Sequence, residues 1–145
     1  MRVAVISDTH DRLPPKVVEA ISDADEIWHL GDVTEPSVID VLAELERPLR
    51  VVRGNCDGWE EWPLTRTFQA AGRTIHLEHI PPRFAAPGVD LLLHGHTHVP
   101  RDEWINGTRF LNPGSVGRAN KGAPCSYAWL TLEAGTEPVW KIVLV

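Results

Sequence analysis

The chain has 145 residues, 43% of them hydrophobic and 23% charged, the balance of a soluble globule. Its net charge of -6 argues against a broad nucleic-acid-binding face, although a nucleotide in a small metal-bearing pocket stays compatible, because a bound ion inverts the local charge. Two cysteines, Cys56 and Cys125, form neither a disulfide framework nor a zinc-ribbon spacing and fit a reducing cytosol, and the N-terminal apolar run is too short for a signal peptide or a membrane span.

In chain order, Arg2 to Ser7 reads as a buried strand. Pro14 and Pro15 open a short helix through Ser22, with Val17, Val18 and Ile21 on one face. Glu26 to Leu30 is a strand. Pro36 to Glu46 is a helix carrying Val38, Val41, Leu42 and Leu45, and Leu49 to Arg53 is a third strand. Strand–helix–strand–helix–strand predicts parallel pairing through right-handed crossovers. After Trp62-Pro63 the pattern turns strand-rich: Thr65 to Ala70, Thr74 to Glu78, Val89 to Leu93, Asp102 to Ile105, Arg109 to Leu111, Ser126 to Leu132 and Val139 to Val145. Residues 81 to 88, PPRFAAPG, read as a loop. Asn106-Gly107 is read as a two-residue hairpin turn rather than a glycosylation site. No repeat or linker divides the chain, so one domain over residues 1–145 is expected. An α/β front and a strand-rich rear pack most naturally as a two-sheet β-sandwich with a few helices outside.

The strands end on chemistry. The first is followed by Asp8 and His10, the second by Gly31-Asp32, and the third by Gly54, Asn55 and Asp57. His79 follows the fifth, and His94, His96 and His98 follow the sixth. Ligands gather outside the carboxyl ends of strands in α/β sheets, so these residues are expected to converge. Carboxylate, imidazole and amide oxygen together suit Mn, Fe, Ni, Zn or Co.

Asp8-Thr9-His10, Gly31-Asp32, Gly54-Asn55-Cys56-Asp57, Gly95-His96-Thr97-His98 and Asn112-Pro113-Gly114-Ser115 resemble the motifs of the calcineurin-like metallophosphoesterases, in order and over nearly the whole chain. Within them they resemble the small bacterial and archaeal phosphodiesterase branch. The resemblance implies an αββα fold with helices reduced on one side. It implies two divalent ions, Mn first, with Ni, Zn, Fe, Co or Mg as alternatives. Asp8, His10 and His98 would hold one ion, Asn55, His79 and His96 the other, and Asp32 would bridge them. A metal-bridging hydroxide would attack phosphorus directly, with Asp32 and Asn55 in the catalytic set and Asp57 a candidate proton source. His94 is read as a residue behind the ligands or at a strand end.

The expected substrate is a small phosphodiester, nucleotide-like or not, met in the cytoplasm. Two divalent ions carry four positive charges; Asp8, Asp32, a hydroxide and a diester monoanion cancel them, whereas a monoester dianion overshoots. Two other readings stand beside it: a phosphomonoesterase or nucleotidase, and a non-catalytic metal-binding scaffold of the same fold, as in the retromer coat. A homo-oligomer is compatible, with the strand-rich C-terminal part as its candidate contact.

Two positions depart from the family pattern. Cys56 stands where many members carry a histidine thought to protonate the leaving oxygen, and a neutral thiol matches that task poorly. His79 is followed by Ile80 where the family usually has glycine, and PPRFAAPG replaces a helix, which predicts a more open cleft there. His76 is the fallback ligand. Asn112 to Ser115 either reaches the metals' ligands or is only a tight turn. Arg12, Arg83 and Arg118 are either phosphate contacts or exposed charges, and Trp59 and Trp62 either stack on a substrate ring or serve as hydrophobic cover.

Overall fold

The computed structural model describes residues 1–58, 61–120 and 122–145. Ten strands and two helices follow in the expected order: β1 (Arg2–Ile6), α1 (Pro15–Ala20), β2 (Glu26–His29), α2 (Pro36–Ala43), β3 (Leu49–Val51), β4 (Thr65–Ala70), β5 (Arg73–Glu78), β6 (Leu91–Leu93), β7 (Arg101–Ile105), β8 (Thr108–Asn112), β9 (Ser126–Thr131) and β10 (Val139–Leu144). Helix α2 stops at Ala43 rather than Glu46 because Glu46 turns left-handed, at φ 54°. Both helices begin with proline in the first turn. Neither is long enough to persist alone, so packing holds them.

The strands form two five-stranded sheets, ordered β10-β9-β1-β2-β3 and β4-β5-β6-β8-β7. β1, β2 and β3 pair in parallel, as the alternation with helices predicts. β5, β6 and β8 are also parallel, while β4, β7, β9 and β10 join antiparallel. The β7–β8 hairpin turns at Asn106 and Gly107 (φ 49° and 84°), and β4–β5 turns at Ala71 and Gly72 with the same left-handed pair (φ 49° and 74°). This two-residue geometry matches the twist of the flanking strands.

Alternation along the strands divides the apolar side chains between layers. Val3, Val5, Trp28 and Leu30 of one sheet meet Ile75, Leu77, Leu91, Leu93 and Leu111 of the other. On the far face of the first sheet, Ala4, Ile6 and Ile27 pack against Val17 of α1, Ile21 directly after it, and Val38 and Leu42 of α2. The outer face of the second sheet carries Val89, Leu92 and Phe110, covered by Ala85 and Ile105, and Arg101 lies over the Phe110 ring. Both helices therefore pack on one sheet, and a loop and a cation cover the other. Among the described residues, no helix is long and apolar enough to cross a membrane.

Leu77 is fully buried between the sheets, whereas Leu144 is 63% exposed. Leu77→Ala is expected to lower the unfolding free energy by about 2–5 kcal/mol, and Leu144→Ala to stay within about 0.5 kcal/mol of the parent. Urea titrations of the two variants check this; equal losses would be incompatible with the layer assignment.

Candidate metal centre

Five parallel strands deliver the motif loops to one edge. Asp8 and His10 leave β1, Asp32 leaves β2, Asn55 to Asp57 leave β3, His79 leaves β5, and His94 to His98 leave β6. Backbone geometry then aims the side chains. Asp8 (φ 53°), His10 (44°), Asp32 (55°), His96 (71°) and His98 (60°) all lie in the left-handed region, costly for residues with a Cβ and typical of functional loops. Glycines make room: a Cβ at Gly31 would sit 2.8 Å from His79 Nδ1, and one at Gly95 would sit 2.6 Å from Asp8 Oδ2.

Three groups of donors converge: Asp8 with His10 and His98, Asp8 with Asp32 and His79, and His10 with Asp32 and Cys56. Asp8 Oδ1 lies 3.1 Å from His98 Nε2, 3.7 Å from His10 Nε2 and 3.8 Å from His79 Nε2. Asp32 Oδ2 lies 3.2 Å from His79 Nε2 and 3.6 Å from His10 Nε2. His10 Nε2 and His98 Nε2 are 3.2 Å apart. Asp8 Oδ1 and His79 Nε2 are buried without a hydrogen-bond partner. Buried polar atoms are nearly always paired, and these two face the other donors. His79 Nδ1 donates to Leu30 O at 2.8 Å, which fixes the tautomer that leaves Nε2 to a cation. The donor set and its orphaned atoms fit a divalent metal.

Electrostatics agrees. Burial works to raise the Asp8 carboxyl, but the nearby imidazoles of His10 and His98 and the charge of His79 outweigh it and hold it well below the usual carboxylate range. Asp32 is lowered too, burial being overcome by His79 and by the backbone N–H of Cys56. Burial opposes a charge on His79, yet Asp32 and Asp8 raise it above its ordinary 6.5; His98 is raised chiefly by the Asp8 carboxylate 3.1 Å away.

Asn55 and His96 meet each other at the rim, with Asn55 Oδ1 3.0 Å from His96 Nδ1. His96 joins none of the three donor groups, although its ring lies 5.3 Å from that of His79 and its backbone N–H donates to Asp8 Oδ2. Asp57 turns inward. Its Oδ2 accepts the N–H groups of Asp32 (2.9 Å) and Gly54 (2.8 Å), and its Oδ1 accepts that of Thr34 (2.8 Å). Both carboxylate oxygens thus tie the β2 and β3 loops together, which fits a positioning residue better than a proton source. The Cys56 thiol is free and exposed beside His10 and Asp32, and burial and the nearby Asp32 charge push it further up.

A ring of buried groups supports the candidate donors. His94 receives Arg101 Nη1 on Nε2 at 3.1 Å and donates from Nδ1 to Gly95 O at 3.0 Å; burial pushes its pKa down to about 4, so it is neutral and stands behind the ligands. His29 behaves alike, near 4 through burial, taking the Gly31 N–H and donating to Thr9 Oγ1. Asn112 donates to Gly95 O and Thr97 Oγ1, and Ser115 donates to Asp8 O, so the Asn112–Ser115 turn does brace the ligand loops. Two supports lay outside the sequence reading: Ser7, whose hydroxyl donates to Asp8 Oδ2 at 2.5 Å, and Arg101. Ser7 abuts the Asp8 motif and was detectable by position; Arg101 carries no local signal.

His76 is occupied by Thr67 Oγ1 at 2.7 Å and Glu78 at 3.1 Å and joins no donor group. Trp62 packs against the helix-side core as cover, and Trp59 lies outside the described residues. Arg12, Arg83 and Arg118 are exposed; the charge of Arg118 reaches His98.

A family model described as the calcineurin-like phosphoesterase superfamily domain matches residues 1–135. A probable metallophosphoesterase of Methanothermobacter thermautotrophicus is 37% identical over 135 residues, covering 79% of this chain and 77% of its own. Phosphodiesterase YfcE of Escherichia coli K12 is 30% identical over 163 residues, covering 90% and 87%. The solved YfcE structure superposes with a TM-score of 0.75 at 27% identity, over 90% of this chain and 88% of that one. Vps29 of Entamoeba histolytica, solved with zinc, superposes with a TM-score of 0.78 at 22% identity over 99% and 98%, a likeness of fold.

His79 and His98 hold protons above 6.5 in the metal-free protein, and an incoming cation must displace them. Apparent Mn affinity is therefore expected to rise with pH through that raised range and to fall as the imidazoles protonate, with proton release on binding. Calorimetry in buffers of different ionisation enthalpy reads both; affinity independent of pH between 6 and 8 would contradict it.

Proposed function

The chain belongs to the calcineurin-like phosphoesterase superfamily, and from that premise we propose that it is a cytoplasmic, dinuclear metal-dependent phosphodiesterase acting on small phosphodiesters, built as one domain. The observation that carries this reading is the pair of buried, unpartnered atoms, Asp8 Oδ1 and His79 Nε2, facing Asp32, His10 and His98.

In this reading Asp8, His10 and His98 would hold one ion, Mn first among the candidates, Asn55, His79 and His96 would hold the second, and Asp32 would serve both. Bound there, the ions would supply a nucleophilic water at neutral pH and would neutralise charge on the phosphoryl oxygens. Asp8 and Asp32 stay ionised, because their pKa values are held down. His79 is oriented by Leu30 O. Asn55 contributes an oxygen without charge, which keeps the balance with a diester monoanion near neutral. Asp57 holds Asp32 and Gly54 in register by their backbone N–H groups. Hydrolysis is direct, with no covalent intermediate on the chain. The relatives named metallophosphoesterase and phosphodiesterase support phosphoesterase chemistry.

Mn added to metal-stripped protein is expected to restore hydrolysis of bis(p-nitrophenyl) phosphate above that of p-nitrophenyl phosphate. Asp32→Ala is expected to lower the rate by more than about a hundredfold, since losing groups behind a metal ligand already costs about 10–100-fold. Wild-type protein inert with Mn, Ni, Zn and Mg would favour the scaffold reading.

A second test concerns the thiol. Cys56→His places a better proton donor beside His10 and Asp32 and is expected to speed hydrolysis of alkyl leaving groups more than aryl ones. A plot of log kcat against leaving-group pKa should become shallower; an unchanged slope would remove Cys56 from any part in leaving-group departure.

A further inference from the structure

Beside the donor cluster lies a recess of about 260 Å3, lined by Asn55 and His79 on the metal side and by Leu64, Ile80, Arg53 and Glu78 beyond. Leu64 is 58% and Ile80 48% exposed, so two large aliphatic side chains are held in water next to ligand residues. Isolated exposed apolar side chains are ordinary, but apolar surface gathered in a concavity with polar groups on one side is the usual make-up of a ligand pocket. A larger recess, about 380 Å3 between Phe84 and Thr108, touches no ligand residue and lacks that continuity.

We infer that the recess is a subsite for one ester arm of the substrate, and that the arm is neutral, apolar and ring-sized. This rests on the phosphodiesterase reading. Size sets the first limit: pockets for drug-sized ligands run from about 300 to 1,000 Å3, so this one takes a single ring rather than a dinucleotide. Charge sets the second. Arg53 and Glu78 both line the recess, so its opposite charges offset each other and give no net draw to a second phosphate. Sequence explains why the wall is there: Ile80 directly follows the ligand His79, and the helix-free segment after it leaves its side chain uncovered. Binding energy from such an arm lies away from the reacting phosphorus and positions it.

The test compares phenyl phosphate with methyl phosphate as ligands of the Mn-loaded protein, by calorimetry and by competitive inhibition of diester hydrolysis. Phenyl phosphate is expected to bind about tenfold tighter, the return on burying a ring face. Leu64→Ser, at an exposed site that tolerates change, is expected to reduce that ratio about threefold while methyl phosphate affinity holds; Leu64→Ser with Ile80→Gly should bring the ratio near one. Equal affinities in the wild type, or a ratio that neither variant moves, overturns the subsite and leaves the hydrolase reading intact. Neither ester competing with diester hydrolysis that Mn has restored overturns the subsite; no Mn-restored diester hydrolysis overturns the phosphoryl reading itself, and the subsite with it.

Discussion

Asp8 and Asp32 are both buried, and their oxygens approach the same two imidazole nitrogens, Nε2 of His10 and of His79, within 3.2 to 3.8 Å. Two carboxylates withdrawn from water side by side cost roughly several kcal/mol each unless positive charge is brought to them. The surrounding histidines meet that need in one of two ways. Without metal, His79 and His98 keep their protons more tightly than usual. A divalent cation bound there would displace those protons and supply the charge itself. The site is thus a place where positive charge must reside, and its occupant depends on pH and metal supply.

Holding this arrangement requires backbone that most residues avoid. Asp8, His10, Asp11, Asp32, Thr34, His96 and His98 are all left-handed, each costing about 1–3 kcal/mol. The loops persist because their neighbours overdetermine them. Asp57 secures three N–H groups, Asn112 secures Gly95 and Thr97, and Ser115 secures Asp8. Behind these lies a sandwich with fully buried Trp28, Leu77 and Leu93. Rigid sheets absorb strain that a free loop would release.

Much of this was legible in the residues because strands and helices announce themselves by period. Val17, Ile21, Val38 and Leu42 repeat at helical spacing, and they do face β1 and β2. Asn106-Gly107 specifies its turn chemically. The strand-end motifs placed Asp8, His10, Asp32, His79 and His98 close together. Asp57 was legible as a motif member but not as a clamp, because the direction of its side chain depends on how the β2 and β3 loops fold back on each other. The Asn55–His96 contact and the Arg101–His94 pair were hidden for the same reason: residues brought together across 41 and 7 positions by left-handed turns leave no periodic trace. Ala71-Gly72 was missed since alanine is a poor advertisement for a positive φ.

The position of β1 has a consequence for how the protein comes into being. Its residues pair on one side with β2 and on the other with β9, where Arg2 stands opposite Thr131. Every residue assigned to the ions lies at or before His98, yet the strand that carries Asp8 and His10 is flanked on one side only until residues 126–131 arrive. During synthesis the donors therefore emerge from the ribosome well before their scaffold can close around them. A chain interrupted before residues 126–131 would leave the strand before Asp8 with one open edge and the donors without the β9 side of their scaffold.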